Sequence, residues 1–364
     1  MGKKQTILSL LAVVLGLIAG AILMFAIGKN PVEGYSFLLK GGLMNIERIG
    51  NTLATASPLI LTGLSVAFAF KTGLFNIGTP GQMLVGGFVA LALGLTLELP
   101  KVPMLLLMIF SAMVAGALWA SIPGLLKAKF NVHEVVSSIM MNWIAYWIVF
   151  YAIPANFKGS VETESAALTE NATLSVKALS EAFNGSFINL GILIALIAVT
   201  VIAFILNKTV LGYELKAVGF NRHAAEYAGM PVNRNIVLSM MIAGGLAGLA
   251  GVAQYAGNTA SMQIGVMPSQ GFDGIAVALL AGNTPIGVLF SALFFGILYT
   301  GRGYMSAMAE IPPEIAGTII AIIIYFAATS TVIGRVMDNI KRKRNKKKDD
   351  SSNSSSKEDS VCGV

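Results

Sequence analysis

The most regular feature of the sequence is a series of apolar stretches separated by shorter polar segments. Crossing a bilayer takes about 20 mostly apolar residues in a helix. Ten stretches fit that pattern: 7–27, 52–70, 82–99, 103–126, 135–153, 188–207, 236–256, 271–283, 286–301 and 314–333. The eighth is short, but the turn signal Asn283-Thr284-Pro285 separates it from the ninth. The pattern therefore predicts an all-α polytopic membrane protein with about ten transmembrane helices.

The positions of Lys and Arg predict how these spans are oriented. Cytoplasmic segments of membrane proteins carry an excess of both residue types. With ten spans the two termini share one side, and most of the chain's 25 Lys and Arg fall there. Much of this excess comes from the basic run at 341–348. We therefore expect both termini in the cytoplasm, an extracellular loop at 154–187 and a cytoplasmic loop at 208–235.

Composition supports the membrane assignment. Only 12% of the residues are charged and 55% are hydrophobic, whereas soluble domains carry about 25% charged residues. The 39 glycines suit close helix packing in lipid, and Gly16/Gly20 and Gly244/Gly248 match the GxxxG pattern of packed helices. A membrane is therefore the expected environment of the chain.

The net charge of +7 comes largely from the basic run at 341–348. A basic run beside the last span is typical of a cytoplasmic anchor to anionic lipid. No folded basic domain accompanies it, so nucleic acid is not an expected partner. The sequence thus divides into a transmembrane domain at 1–340 and a disordered basic, Ser-rich cytoplasmic tail at 341–364.

The sequence lacks the motifs of common catalytic and metal sites. There is no GxxxxGK[ST] phosphate-binding loop and no GxSxG nucleophile motif. His133-Glu134 begins like the zinc motif HExxH, but Ser137 stands where the second His is needed. Cys362 is the single cysteine, so no thiol cluster exists. We expect neither an enzyme nor a cofactor or metal site within this chain.

The segment between the second and third spans, 71–82, is too apolar for an ordinary loop and is rich in Gly and Pro. Broken backbone at membrane depth is tolerated where it is buried in protein or lines a cavity. Asn76 and Gln82 are then candidates to bind a polar ligand, or else their amides cap helix ends in a tight turn. For Asn142, inside the fifth span, a hydrogen bond between helices is favoured over ligand contact.

Two further polar features are candidates for function. Asp273 opens the eighth span. Capping of that helix is the favoured single role of its carboxylate, and a functional role of this ionisable residue is compatible with it. In the loop 208–235, Asn221 as N-cap, Gly229 and Pro231 predict a short helix at about 222–228. Its small alanines suit docking into a groove on a cytoplasmic partner, although a connector helix on the lipid headgroups would look the same.

Four stretches of the sequence resemble one known family, the ribose-type (branched-chain amino acid/ribose) permeases of ABC transporters, in their nucleoside-importer form. They are GLFNIGTPGQMLVGG (73–87), NVHEVVSSIMMNWI (131–144), AVGFNRHAAEYAGM (217–230) and GFDGIAVALLAGNTPIG (271–287). All four occur in the order found in that family. Thr79-Pro80 departs from the family's Val-Glu, and His133 from its Asn. The first departure removes an acidic group near the suspected pathway, which bears on substrate preference.

The resemblance implies a role and a set of partners. It implies the permease subunit of an importer in a bacterial plasma membrane, paired with a second related permease. A cytoplasmic ATPase with two fused nucleotide-binding domains would bind ATP and Mg²⁺, and an extracellular lipoprotein would deliver nucleosides. The resemblance assigns coupling to the ATPase to Asn221, Arg222, Ala224, Ala225, Glu226 and Gly229. It assigns the substrate pathway to Phe75, Asn76, Gln82, Asn142, Phe272 and Asp273.

Alternative functions remain open at this point. A ribose-type sugar permease would share the fold and the partners. An ion-coupled secondary transporter would need no ATPase. A membrane enzyme is disfavoured by the missing motifs, and a passive structural protein by the polar interruptions at 73–82 and 271–285.

Overall fold

The computed structural model describes residues 3–329, and the regular elements within that range are helical. The α-helices are α1 (Lys3–Ala26), α2 (Pro31–Leu43), α3 (Ile46–Lys71), α4 (Thr79–Thr96), α5 (Lys101–Phe130), α6 (Glu134–Asn156), α7 (Lys177–Ala182), α8 (Gly191–Lys208), α9 (Val210–Phe220), α10 (Arg222–Tyr227), α11 (Val232–Val252), α12 (Ser269–Leu280), α13 (Pro285–Met308) and α14 (Pro313–Ala328). A π-helix at Ala253–Asn258 continues α11. The predicted tail at 341–364, with its basic run and Cys362, lies outside the described residues.

Each of the ten predicted stretches contains a helix, but the helices differ in length. Seven of those in the described part of the chain, α3, α4, α5, α6, α8, α11 and α13, are long and apolar enough to cross a membrane. The pair α1–α2 bends by 120° and makes an eighth candidate if it is counted as one span. The 12 residues of α12 extend about 18 Å, short of the roughly 30 Å of a bilayer core. Length and composition therefore support seven or eight full spans.

Helix α2 was not expected from the sequence, and neither were α7 and α9. The Asn30 side chain accepts a hydrogen bond from the Val32 amide at 3.0 Å, and Pro31 occupies the first turn, where its missing N–H costs nothing. Gly41 and Gly42 lie directly against α13. The segment after α1 thus folds back onto the bundle instead of forming a polar loop.

The bundle has two ends that can be defined by residues. The C-termini of α3 and α5 and the helices α9 and α10 share the apolar cluster of Ala69, Ala128, Val218 and Ala225. We call this the Lys71 end. At the opposite end, Lys101 at the start of α5 donates to the Ser175 carbonyl at 2.5 Å. We call this the Lys101 end.

The middle of the bundle is held by glycines, as the GxxxG patterns predict. The pairing of α11 with α5 brings Gly244 against the Gly116 carbonyl and Gly248 against the Ala112 carbonyl. Helices that approach this closely gain dispersion contacts along their backbones, which suits a solvent as apolar as the side chains. In the first helix, Gly16 packs in the same way against Ile323 of α14.

This packing predicts that one added methyl group at Gly248 destabilises the protein. A Cβ on Gly248 would overlap the Ala112 carbonyl oxygen, so Gly248→Ala forces two backbones apart. We expect a loss of about 1–3 kcal/mol, seen as a lower melting temperature in detergent. Gly303→Ala in α13 is the matched control, since no atom of the described residues lies within 4 Å of its Cβ position. Equal melting temperatures for the two variants would contradict this packing.

Candidate functional site

The chain between α3 and α4 turns back into the bundle. The Asn76 amide nitrogen lies 3.4 Å from the Ser65 hydroxyl. Ser65 lies six residues before the end of α3, which corresponds to about 9 Å along a helix axis. The residues around Asn76 are therefore non-helical backbone inside the protein, as the Gly- and Pro-rich sequence predicted.

A network of side-chain carboxamides forms hydrogen bonds with polar groups of this broken backbone. Asn76 and Gln82 donate to each other's oxygen at 2.9 and 3.0 Å, and Asn76 also accepts from the Gly78 amide at 3.1 Å. Asn142 of α6 accepts from the Gly81 amide and donates to the Ile77 carbonyl, both at 3.0 Å. We call Asn76, Gln82 and Asn142 the carboxamide clamp. All three are buried, so each carries polar atoms that would be costly to leave unpaired.

The hydrogen bonds of the clamp can be compared with the alternatives that the sequence raised for Asn76 and Gln82 and for Asn142. Asn76 and Gln82 bond to each other, and Asn76 also accepts from the Gly78 amide just before α4. Among the described residues the Gln82 side chain pairs with no backbone group, so of these two carboxamides it is that of Asn76 that serves the backbone of the turn. Asn142 joins α6 to the start of α4, as expected for an interhelical hydrogen bond. Phe75, in the same turn, packs on Phe70 with ring centroids 5.1 Å apart. These four predicted site residues therefore lie together, around the start of α4.

The short helix α12 begins beside the same point. Gly271, in its first turn, lies against the Pro80 backbone, and Gly274 lies against Thr62 in the middle of α3. The N-termini of α4 and α12 thus meet within the bundle. Because α12 begins at Ser269, Asp273 lies beyond the first turn and does not cap the helix, contrary to the capping role favoured from the sequence. Its carboxyl group interacts with the Tyr299 hydroxyl of α13.

Phe272 occupies a different environment from the other predicted pathway residues. It is 46% exposed, whereas Gly271 beside it is buried in the contact with α4. Phe272 therefore faces the outside of this chain, and the predicted pathway residues do not form one continuous lining.

A cleft lies beside the N-terminus of α12. It encloses about 250 Å³ between the π-helix and the extended segment that leads into α12. Its lining includes Gln254, Thr259, Ser261, Gln263, Ser269 and Gln270, with Tyr255 and residues 266–268 adding apolar surface. We call this the polar cleft. No charged side chain of the described residues lines it, and sequence reasoning missed it.

A signal for the polar cleft was nevertheless present. Three of the chain's glutamines, Gln254, Gln263 and Gln270, fall within one short stretch next to an apolar span. The π-helix could not be anticipated from apolar periodicity, although such bulges are frequent at functional sites.

The loop at the Lys101 end is hydrogen-bonded to the wall of the polar cleft. Backbone bonds join Ser165 to Met262 at 3.0 Å and Ile264 to Thr163 at 2.8 Å. The Ser261 hydroxyl also donates to the Glu164 carboxylate at 3.2 Å. The predicted extracellular loop is thus an ordered structure that supports the segment leading into α12.

At the Lys71 end, the short predicted helix is present as α10. The Asn221 side chain accepts from the amides of His223 and Ala224, both at 3.1 Å, as an N-cap does. Gly229 has a φ of +78° after the helix, which suits glycine. Ala225 is buried against the bundle, which fixes α10 in place.

The carboxamide clamp predicts a stability defect. Asn142→Leu keeps the side-chain size but leaves the Gly81 amide and the Ile77 carbonyl unpaired. We expect a loss of about 1–3 kcal/mol for each buried group, measured as a lower melting temperature of the purified protein. Asn156→Leu is the control, since among the described residues that exposed side chain bonds only to its own helix at Ala152. An unchanged melting temperature for Asn142→Leu would rule out a structural role of the clamp.

Comparison with known proteins identifies relatives over nearly the whole chain. NupP of Bacillus subtilis, named as a guanosine ABC transporter permease protein, is 44% identical over 341 residues, 93% of this chain and 98% of NupP. NupB of Lactococcus lactis, named as a nucleoside ABC transporter permease protein, is 39% identical over 351 residues, 93% and 94% of the two chains. TsgB13 of Haloferax volcanii, named as a glucose ABC transporter permease protein, is 32% identical over 327 residues, 88% and 86% of the two chains.

The family assignment follows from a match that covers most of the described bundle. No solved structure matches this chain. The family model for the permease component of branched-chain amino acid transport systems matches residues 48–328, which include the carboxamide clamp, the polar cleft and α10. The chain is therefore a multi-pass membrane protein that belongs to the branched-chain amino acid transport system permease family.

Proposed function

We propose that this chain is the permease subunit of an ABC importer that carries nucleosides into the cell. The observation that carries the proposal is the 44% identity to a guanosine permease over nearly the full length of both chains. The polar cleft supports it, because amides and hydroxyls without a charge suit a neutral, amphipathic substrate. The chain itself would have no enzyme activity.

The transmembrane domain, proposed at 1–340, would cross the membrane ten times. Helix α1 leads through α2 to the start of α3 at the Lys101 end, and α14 packs antiparallel to α1. The extended residues before α12 and α12 itself would together make one discontinuous pass. Both termini would then lie in the cytoplasm, with the Lys71 end inside, the loop 154–187 outside and the tail 341–364 beyond the last span.

The transport mechanism would be alternating access driven by a partner. A substrate shifts a conformational equilibrium only by its differential affinity for the two states, so net import requires an external source of work. This sequence has no phosphate-binding loop. ATP and Mg²⁺ would be bound by a cytoplasmic subunit with two nucleotide-binding domains, and a second related permease would complete the membrane part.

The coupling contact with the ATPase would be made by α10 and its flanks. The residues proposed for it are Asn221, Arg222, Ala224, Ala225, Glu226 and Gly229. Two aromatic side chains there, Phe220 at the end of α9 and Tyr227 as the last residue of α10, are 94% and 93% exposed. Exposed aromatics are the usual anchors of a protein interface, and their place at the Lys71 end suits a cytoplasmic partner.

The pathway residues predicted from the sequence would have different tasks. Asn76, Gln82 and Asn142 would hold the broken backbone in place, with Phe75 packed beside them. Asp273 and Phe272 would lie at the start of α12, where the chain changes from extended to helical. An extracellular lipoprotein would deliver substrate to the loop that supports this segment, in a bacterial plasma membrane like those of the bacteria that contain NupP and NupB.

A sugar importer is the second candidate. It is favoured by the 32% identity to a protein named as a glucose permease, and amide groups can bind sugar hydroxyls as well as bases. The lower identity makes it the weaker proposal.

The two candidates are separated by uptake measurements. Cells with and without the gene, in a strain lacking other nucleoside carriers, are given labelled guanosine or uridine. We expect gene-dependent uptake that stops when ATP is depleted and is unaffected by excess ribose or glucose. Competition by a sugar would favour the second candidate, and uptake independent of the gene would refute the nucleoside assignment.

The proposed coupling contact predicts a loss of assembly. Phe220→Ala and Tyr227→Ala together should reduce co-purification of the ATPase and ATP-dependent uptake at least tenfold, because the exposed anchors are removed. Phe25→Ala is the control, since that ring is 78% exposed but lies near the Lys101 end. If the ATPase co-purifies unchanged with the double variant, α10 and its flanks do not dock it.

A further inference from the structure

We propose that the polar cleft is a substrate-contact site of the permease, in which the carboxamides of Gln254, Gln263 and Gln270 hydrogen-bond the base of a nucleoside. This inference rests on the proposed function and adds to it a place and a set of groups that read the substrate. None of these glutamines was among the pathway residues predicted from the sequence.

The size and surface of the cleft fit such a ligand. Its volume of about 250 Å³ lies just below the roughly 300–1,000 Å³ of sites for drug-sized ligands, which suits a single nucleoside. Tyr255, Met267 and Pro268 contribute apolar surface on which a flat base can lie, and the glutamines contribute the polar groups. This combination of apolar walls and a few placed polar groups is typical of small-molecule sites.

The glutamines have hydrogen-bonding capacity to spare. Gln254 accepts from Asn258 at 3.3 Å through its oxygen, which leaves its NH₂ group as a donor. Among the described residues, the side chains of Gln263 and Gln270 have no hydrogen-bond partner. Each carboxamide offers two donor hydrogens and an acceptor oxygen, so it can pair with the edge of a base, as glutamine does with adenine in nucleic-acid complexes.

The uncharged lining of the cleft, as formed by the described residues, favours an uncharged ligand. None of the described residues that line the cleft is Lys, Arg, Asp or Glu. Within the same part of the chain, the carboxylate of Glu164 hydrogen-bonds only to the Ser261 hydroxyl, at 3.2 Å. A phosphorylated nucleotide would need cationic groups or several free backbone amides, whereas an uncharged nucleoside needs neither. The cleft therefore favours nucleosides over nucleotides.

The backbone around the cleft keeps the glutamines at defined positions. Gln254 lies in the π-helix, whose Asn258 donates to the Ala54 carbonyl at 3.2 Å. The backbone of Gln263 forms a bridge with Glu164 of the loop at the Lys101 end. Gln270 lies in the first turn of α12. Three separate elements thus present one carboxamide each to the same volume.

The test measures selectivity, which a purely structural defect would not change. Gln263→Met and Gln270→Met keep side-chain length and remove the hydrogen-bonding groups, and Asn156→Leu is the control outside the cleft. In cells carrying the whole transporter, uptake of labelled guanosine, adenosine and uridine is compared. We expect single variants to lower uptake of some nucleosides roughly five- to fiftyfold and of others little, since the bases differ in their donors and acceptors.

A second readout measures contact directly. In a Cys362→Ser background, Gln263→Cys is labelled with a membrane-impermeant maleimide, with Glu181→Cys on α7 as an exposed control. Guanosine should slow labelling at 263 and leave labelling at 181 unchanged, whereas ribose at the same concentration should not protect either position.

The outcomes separate this inference from the function on which it rests. If the unchanged transporter carries no nucleoside, both are overturned. If it carries nucleosides while every cleft variant keeps the wild-type ratios among them and guanosine gives no protection, only the cleft assignment is overturned. Protection by ribose alone would also overturn it, because the contact would then be made to the sugar.

Discussion

The architecture depends on the pairing of buried backbone groups where helices are broken inside the bundle. Within a bilayer an unpaired N–H or C=O costs several kcal/mol, so irregular backbone survives there only when protein groups satisfy it. The carboxamide clamp does this, because Asn76 and Asn142 accept from the amides of Gly78 and Gly81. Without these bonds, α4 could not begin within the bundle.

The start of α4 inside the bundle positions α12 and, through it, one wall of the polar cleft. The start of α4 provides a surface against which α12 can begin, through the contact of Gly271 with Pro80. The chain that leads into the short helix α12 forms one wall of the polar cleft. The loop at the Lys101 end holds that wall by backbone hydrogen bonds. Substrate contact and the proposed docking of a delivery protein would thus involve one connected structure.

The sequence was most informative where one physical effect dominates. Apolar length predicted a helix in every expected stretch, and cap chemistry at Asn221 and Gly229 located α10 to within a residue. It was less informative where the outcome depends on distant residues. The partners of Asn142 in the clamp lie 61 and 65 residues away along the chain, so they could not be identified from spacing alone. The return of α2 onto the bundle and the π-helix likewise depend on packing that no local pattern encodes.

The proposed function requires that this chain moves nucleosides by work done on it by an ATPase. The test uses proteoliposomes that contain the complete transporter, with ATP supplied to the nucleotide-binding side and no ion gradient across the membrane. We expect labelled guanosine to accumulate on that side against its concentration gradient, and accumulation to stop when ATP is replaced by a nonhydrolysable analogue. Accumulation that requires an imposed ion gradient, or that does not occur with ATP present, would contradict it.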